Sequence, residues 1–209
     1  MYLIQTPTLL RKLYAPGAVW EGPQTPEPTV YLTFDDGPHP QITHFVLDQL
    51  DRYDASATFF CIGKNVVDNP GLYERLARSR HAIGNHTYDH LNGSKVNTED
   101  YLADIAQAAA HIDSRLFRPP YGRIRRTQAL ALGEATPPYT IVMWSLLSAD
   151  FDTDLSPQKC LENVVFHAEP RHIIVFHDSL KAAPRLEYAL PRVLEHCHRQ
   201  KWKMAALQA

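Results

Sequence analysis

The stretch TVYLTFDDGP, residues 29–38, sets the frame for the whole chain. Its first six residues, rich in β-branched and aromatic side chains, read as a short buried strand, and Asp35-Asp36-Gly37-Pro38 reads as the tight turn that ends it. Outward from it the pattern recurs. SATFFC (56–61), HAIG (81–84), LFR (116–118), YTIVMW (139–144), HIIVFH (172–177) and KWKMAAL (201–207) bring the candidate strands to seven. Between them, apolar residues repeat at helical spacing in three sets: Ile42, Phe45, Val46 and Leu50; Tyr101, Leu102, Ile105, Ala109, Ile112 and Leu116; and Leu186, Leu190, Val193, Leu194 and Cys197. Two helix starts are marked, by Asn97 ahead of Glu99 and Asp100 and by Ser156 ahead of Pro157.

Strand and helix in alternation predict an α/β fold of parallel strands joined by right-handed crossovers, either doubly wound or closed into a barrel. Seven strands in about 180 residues suit a barrel slightly smaller than the eight-stranded type. Upstream, EGPQTPEP (21–28) holds three prolines and no apolar periodicity. It divides the chain into an N-terminal arm with its connector, 1–28, and the main domain, 29–209.

A chain of 209 residues, 44% hydrophobic and 21% charged, supports one domain with a sizeable core. The net charge of -2 and the lack of a Lys/Arg run among aromatics argue against nucleic acid as a partner. Cys61, Cys160 and Cys197 are far apart, odd in number and free of C-x-x-C spacing, so they read as reduced core thiols. Gln5, Pro7, Arg11 and Lys12 interrupt the first twenty residues too early for a signal peptide or a membrane span, which makes a cytoplasmic location the default expectation.

In either architecture functional groups collect where strands end at their C-termini. Asp35 and Asp36 follow the first strand, His86 and His90 the third, and Asp150 the fifth; Arg118 ends the fourth and His177 the sixth. All fall on one predicted face. Adjacent carboxylates on a tight turn repel unless a cation stands near, although Asp36 alone reads equally as a turn residue bonding its own backbone. His86 and His90, four apart, share one face of a helical turn and could converge on an ion, though a solvated turn would present the same pair. With Asp36 the set becomes two imidazoles and one carboxylate, leaving positions open for water and substrate.

Four motifs in order, Phe34-Asp35-Asp36-Gly37-Pro38, His86-Thr87-Tyr88-Asp89-His90, Arg118-Pro119-Pro120-Tyr121-Gly122 and Ile174-Val175-Phe176-His177-Asp178, resemble those of the polysaccharide deacetylase family, the NodB-like carbohydrate esterases. The resemblance covers about residues 29–207. It implies a distorted (β/α)7-type barrel and metal-dependent removal of N-acetyl groups from chitin-like or peptidoglycan sugars, with some members acting on O-acetylated xylan. It further implies that Asp36, His86 and His90 bind one divalent ion, zinc first and cobalt or nickel as alternatives. Asp35 would be the general base, Arg118 its orienting partner, His177 the general acid and Asp150 the carboxylate behind it. The Tyr121 backbone N–H would meet the oxyanion. The chemistry is consistent: an ion such as zinc lowers the pKa of its water from about 15.7 to roughly 7, and an amine leaves badly unless protonated.

One departure from the family pattern falls in a further strand-end motif, D-x-x-D-W, which reads Leu147-Ser148-Ala149-Asp150-Phe151 here, with Leu147 in place of the first acid. The second acid is kept, but Phe151 offers a smaller substrate platform with no N–H donor. Val175 and Phe176 replace the leucines that line the family's pocket for the acetyl methyl. Two further possibilities share the machinery, an O-acetyl carbohydrate esterase and a catalytically silent glycan-binding protein. His196-Cys197-His198 has the look of a metal triplet, but Cys197 belongs to an apolar helix face and its neighbours diverge.

Overall fold

A computed structural model describes residues 2–15 and 17–208, and the structural statements below concern these residues. The strands are β1 (Thr29–Asp35), β2 (Thr58–Cys61), β3 (Ala82–Asn85), β4 (Leu116–Phe117), β5 (Thr140–Ile141), β6 (Leu146–Leu147), β7 (Ile173–His177) and β8 (Lys203–Met204). Seven of them follow one another in the order β5-β4-β3-β2-β1-β7-β6, every pairing parallel, and β8 adds to the start of β1. β5 and β6 lie at opposite ends of this order, yet only residues 142–145 separate them in the chain. The sheet must therefore curl until its edges meet, and the distorted (β/α) barrel expected from the sequence is what forms.

The helices are α1 (Thr8–Tyr14), α2 (Ile42–Arg52), α3 (Gly63–Asp68), α4 (Pro70–Ala77), α5 (Thr98–Ala109), α6 (Arg126–Glu134), α7 (Pro157–Val165) and α8 (Ala183–Arg199). Both anticipated N-caps form: the Asn97 side chain accepts the Asp100 N–H and Ser156 accepts that of Lys159. Alternation along β1 separates two cores. Val30, Leu32 and Phe34 face outward and pack with Phe59, Phe176 and the apolar faces of α2 and α8. Tyr31 faces inward with Phe60, Leu116, Val142 and Ile173, and Leu207 closes the barrel floor beside them. Thr33 and Asp35, at the same parity as Tyr31, therefore point into the barrel. Cys61, Cys160 and Cys197 are all buried and unpaired, as expected of core thiols.

The expected strand at 139–144 divides. Its first part is β5, after which Val142 and Met143 donate to Phe117 and Val19 and the chain crosses to β6 beside β7. A continuous β-rich run thus serves both edges of the sheet, and periodicity cannot show where one edge ends. Ile112 and Leu116 share the spacing of α5 but lie beyond its end, Leu116 in β4. The arm is packed onto the barrel: Gln5 bridges Leu146 antiparallel, Val19 bridges Val142 and Glu21 bridges His172.

Candidate metal centre and active site

The strand register builds the site. Asp35 pairs with Phe60 of β2 and with His177 of β7, so the inward carboxylate and the inward imidazole stand side by side at the C-terminal edge. The next residue, Asp36, turns out of the strand in the left-handed region at φ 83°, a costly conformation for a residue with a Cβ. Asn65 of α3 holds it by donating to the Asp36 carbonyl at 2.6 Å. Gly37 follows because the Asp178 carboxylate occupies the space a Cβ would need, 2.1 Å away. Asp178 accepts the Gly37 N–H at 2.9 Å and the Thr43 hydroxyl at 2.5 Å, tying the turn to α2. Burial, with Asp36 adding to it, pushes the Asp178 carboxyl up to about 8.

His86 and His90 converge, but through an irregular loop in place of the expected helical turn. Thr87 (φ 64°) and His90 (φ 57°) are both left-handed, and residues 86–90 form no helix. Two side chains compensate for that backbone. Asn85 accepts the Thr87 N–H and donates to Ile105, while the Asp104 carboxylate of α5 accepts the N–H groups of Tyr88 at 2.8 Å and Asp89 at 3.3 Å. Nothing in the spacing of the sequence announces Asp104, Asn65 or Asp178; each reads there as an ordinary helix or turn residue.

Asp36, His86 and His90 present ligand atoms all within 4.8 Å of one another, the one such group of three among the described residues. Asp36 Oδ1 lies 3.8 Å from His86 Nε2 and 3.3 Å from His90 Nε2, and although buried it accepts no hydrogen bond. His86 Nδ1 donates to the Arg118 carbonyl at 2.7 Å, which leaves Nε2 with its lone pair toward Asp36. His90 Nδ1 lies 3.1 Å from the Tyr121 hydroxyl. Burial holds the His86 imidazole down at about 4, hence neutral. For Asp36, burial is outweighed by the imidazoles of His90, His177 and His86, which keep the carboxyl well below its usual range. An orphaned carboxylate oxygen facing the Nε2 atoms of two imidazoles is the donor set a divalent cation fits.

Arg118 is fully buried beneath Asp35. Its Nη1 donates to Asp35 Oδ1 and to Thr33 Oγ1, both at 2.7 Å; Nε and Nη2 donate to the carbonyls of Val142 and Met143, and the guanidinium lies 4.1 Å from the Phe60 ring centre. This supports the Asp35 carboxylate rigidly. On the other side, the His177 backbone N–H and Nδ1 both donate to the fully buried Asp150 carboxylate at 2.7 Å. Asp150 is itself fixed by Arg185 of α8, which donates to its carbonyl at 2.6 Å. Burial disfavours the His177 imidazolium, but Asp150, then Asp36 and Asp35, raise it to about 10.

Of the expected substrate contacts, Tyr121 lies in a turn (Pro120–Gly122) with φ 59° and is 62% exposed. The Phe151 ring stands edge-to-face to His177, centres 5.4 Å apart. Val175 shares the inward face of β7 with His177 and is buried. Phe176 has the opposite parity: it stacks on Phe34 at 6.0 Å in the outer core, so it is a packing residue and not part of the cleft. His39 turns its Nδ1 to the N–H groups of Gln41 and Ile42 and caps α2. At the other end of the chain, His196 meets Trp202 and His198 meets Tyr53, so the C-terminal triplet diverges.

A family model described as polysaccharide deacetylase matches residues 22–137. A Bacillus cereus peptidoglycan-N-acetylglucosamine deacetylase is 33% identical over 207 residues, 95% of this chain and 96% of the relative. A second from the same organism is 35% identical over 156 residues, 72% of this chain; the alignment spans only 56% of that longer relative. Among solved structures, a peptidoglycan N-acetylglucosamine deacetylase in complex with a substituted N-oxidanyl-benzamide superposes with a TM-score of 0.81 at 30% identity, covering 91% of each chain.

Proposed function

This chain belongs to the polysaccharide deacetylase family, and on that premise we propose that it hydrolyses N-acetyl groups of N-acetylglucosamine-containing glycans. The observation that carries the proposal is the arrangement of one cleft: the Asp36, His86 and His90 triangle, with the Asp35–Arg118 pair on one side and the His177–Asp150 pair on the other. Asp36, His86 and His90 would hold a divalent ion, zinc first among the candidates because two imidazoles and a carboxylate with open positions suit it. Bound there, the ion supplies Lewis acidity, polarising the amide carbonyl and lowering the pKa of water.

The remaining work falls to protein groups. Asp35, oriented by Arg118, takes the proton of the attacking water. The Tyr121 N–H, on the left-handed turn beside His90, would donate to the developing oxyanion. His177 passes its Nε2 proton to the leaving amine, and Asp150 keeps Nδ1 protonated so that Nε2 is the exchanging site. Two carboxylate–cation pairs thus set two opposite proton roles, acceptor and donor, on neighbouring strands.

Acetate release from N-acetylglucosamine oligomers, peptidoglycan fragments and acetylxylan, each with added zinc, cobalt or nickel, tests the proposal. Release from the N-acetylated glycans is expected. Release from acetylxylan alone would make the protein an O-acetyl esterase, and oligomer binding without release from any of them would make it a glycan-binding protein.

A further inference from the structure

The proton-transfer scheme makes no use of the N-terminal arm, yet the arm is built into the cleft. Along β6, the Leu147 N–H donates to the Ile4 carbonyl at 2.8 Å and the Thr6 N–H to Ser145 at 3.2 Å, around the Gln5–Leu146 bridge. This pairing carries Tyr2 to the loop that follows β6. There its ring stands edge-to-face on Phe151, with centres 5.3 Å apart and planes at 70°, and Phe151 stands edge-to-face on His177. The Tyr2 hydroxyl donates to Asp152 Oδ2 at 2.5 Å. Burial, with Asp152 beside it, pushes that phenol up to about 12, so it stays a donor throughout the working range. Further along the arm the Tyr14 hydroxyl donates to the Gly122 carbonyl, so the same segment also grips the loop that carries Tyr121.

We infer that Tyr2 is a specificity-determining residue: with Phe151 it forms an aromatic wall running outward from His177 that takes the apolar face of a sugar unit adjacent to the one being deacetylated. Tyr2 is 38% exposed, so part of the side chain stays open to solvent beside the cleft. A free surface aromatic would not be fixed by strand pairing behind it and a charge-assisted hydrogen bond at its tip. Its ring is already immobilised, so contact with a pyranose C–H face costs little further side-chain entropy. Phe151 alone presents a single small ring; the pair doubles the surface and points it away from the reacting acetyl. The inference rests on the deacetylase proposal for its substrate class.

The test compares the metal-loaded full chain with its Tyr2→Ala and Tyr2→Phe variants on N-acetylglucosamine oligomers and on 4-nitrophenyl acetate, which carries no sugar. Loss of one aromatic contact predicts that Tyr2→Ala raises KM for oligomers about three- to tenfold, with kcat and aryl acetate turnover held within about twofold. Tyr2→Phe keeps the ring on Phe151 and should retain oligomer KM. Equal losses on both substrates would mean that Tyr2 only steadies His177, and unchanged oligomer KM would mean that it touches no sugar; either result overturns the wall. Calorimetric titration of the same oligomers keeps this separate from the deacetylase proposal: weaker binding to Tyr2→Ala without any turnover by the parent protein supports the wall and defeats the activity, whereas unchanged binding defeats the wall.

Discussion

Removing Arg118 while keeping its volume, as Arg118→Met, isolates the pair on which the proposed base depends. Asp35 and Arg118 are 3% and 0% exposed and their atoms are 2.7 Å apart. At an effective dielectric of about 20 the direct attraction is about 6 kcal/mol, most of it offsetting the desolvation of two ions. Deleting one partner therefore costs far more than the net worth of the pair. The Asp35 charge is stranded, and the Val142 and Met143 carbonyls each lose a donor. Together these predict about 3–5 kcal/mol of destabilisation for Arg118→Met, or roughly 2–4 °C of melting temperature per kcal/mol for a chain of this size. Asp35→Asn leaves an acceptor for the guanidinium and should cost about 1–3 kcal/mol. The double variant removes both charges, so its loss should fall short of the sum by about 2 kcal/mol or more. Urea unfolding of chelator-treated protein, analysed as a double-mutant cycle, measures this without any metal contribution. A coupling below about 0.5 kcal/mol would show that Asp35 and Arg118 act independently, and the account of a rigidly held base would fall with it.

Three further outcomes follow from the same geometry. Asp35→Asn should keep one bound ion and lose turnover, while Asp36→Asn should lose the ion; elemental analysis beside acetate release checks this, and the reverse pattern would exchange the two roles. Asp104→Ala frees the loop amides of Tyr88 and Asp89 and should weaken metal affinity about 10- to 100-fold with little change in melting temperature; competition with a chromogenic chelator reads this, and unchanged affinity would mean that the loop holds its left-handed residues unaided. His177, raised to about 10, must be protonated to act as acid, so kcat/KM for the amide should fall as pH rises through that value; Asp150→Asn, removing the group that raises it, should move this limb downward toward the ordinary imidazole range near 6.5, and a limb that stays in place would assign it to another group.

What the sequence made legible divides along physical lines. Strand parity is a period of two, so once TVYLTFD was a strand, the inward direction of Asp35 and the outward direction of Phe34 followed, and the register with β7 set Asp35 beside His177. The same rule could have removed Phe176 from the cleft: it is one residue from His177 and must face the other way. Short motifs name the groups that act and their nearest supports, Arg118 and Asp150, but give no role to the residues that hold the loops. Asp104, Asn65 and Asp178 lie on α5, α3 and the end of β7, and each meets its target across a stretch of chain whose path only the packed fold defines. His86 and His90 show why that matters. Helical spacing would have brought them together without strain, whereas here Asp36, Thr87 and His90 are all left-handed and the surrounding side chains must compensate for their backbones. Residues of that kind have no periodicity of their own. They become visible only when the Asp104 and Asp178 carboxylates are asked which amides they serve, and in both cases the answer is a loop that carries a candidate metal ligand.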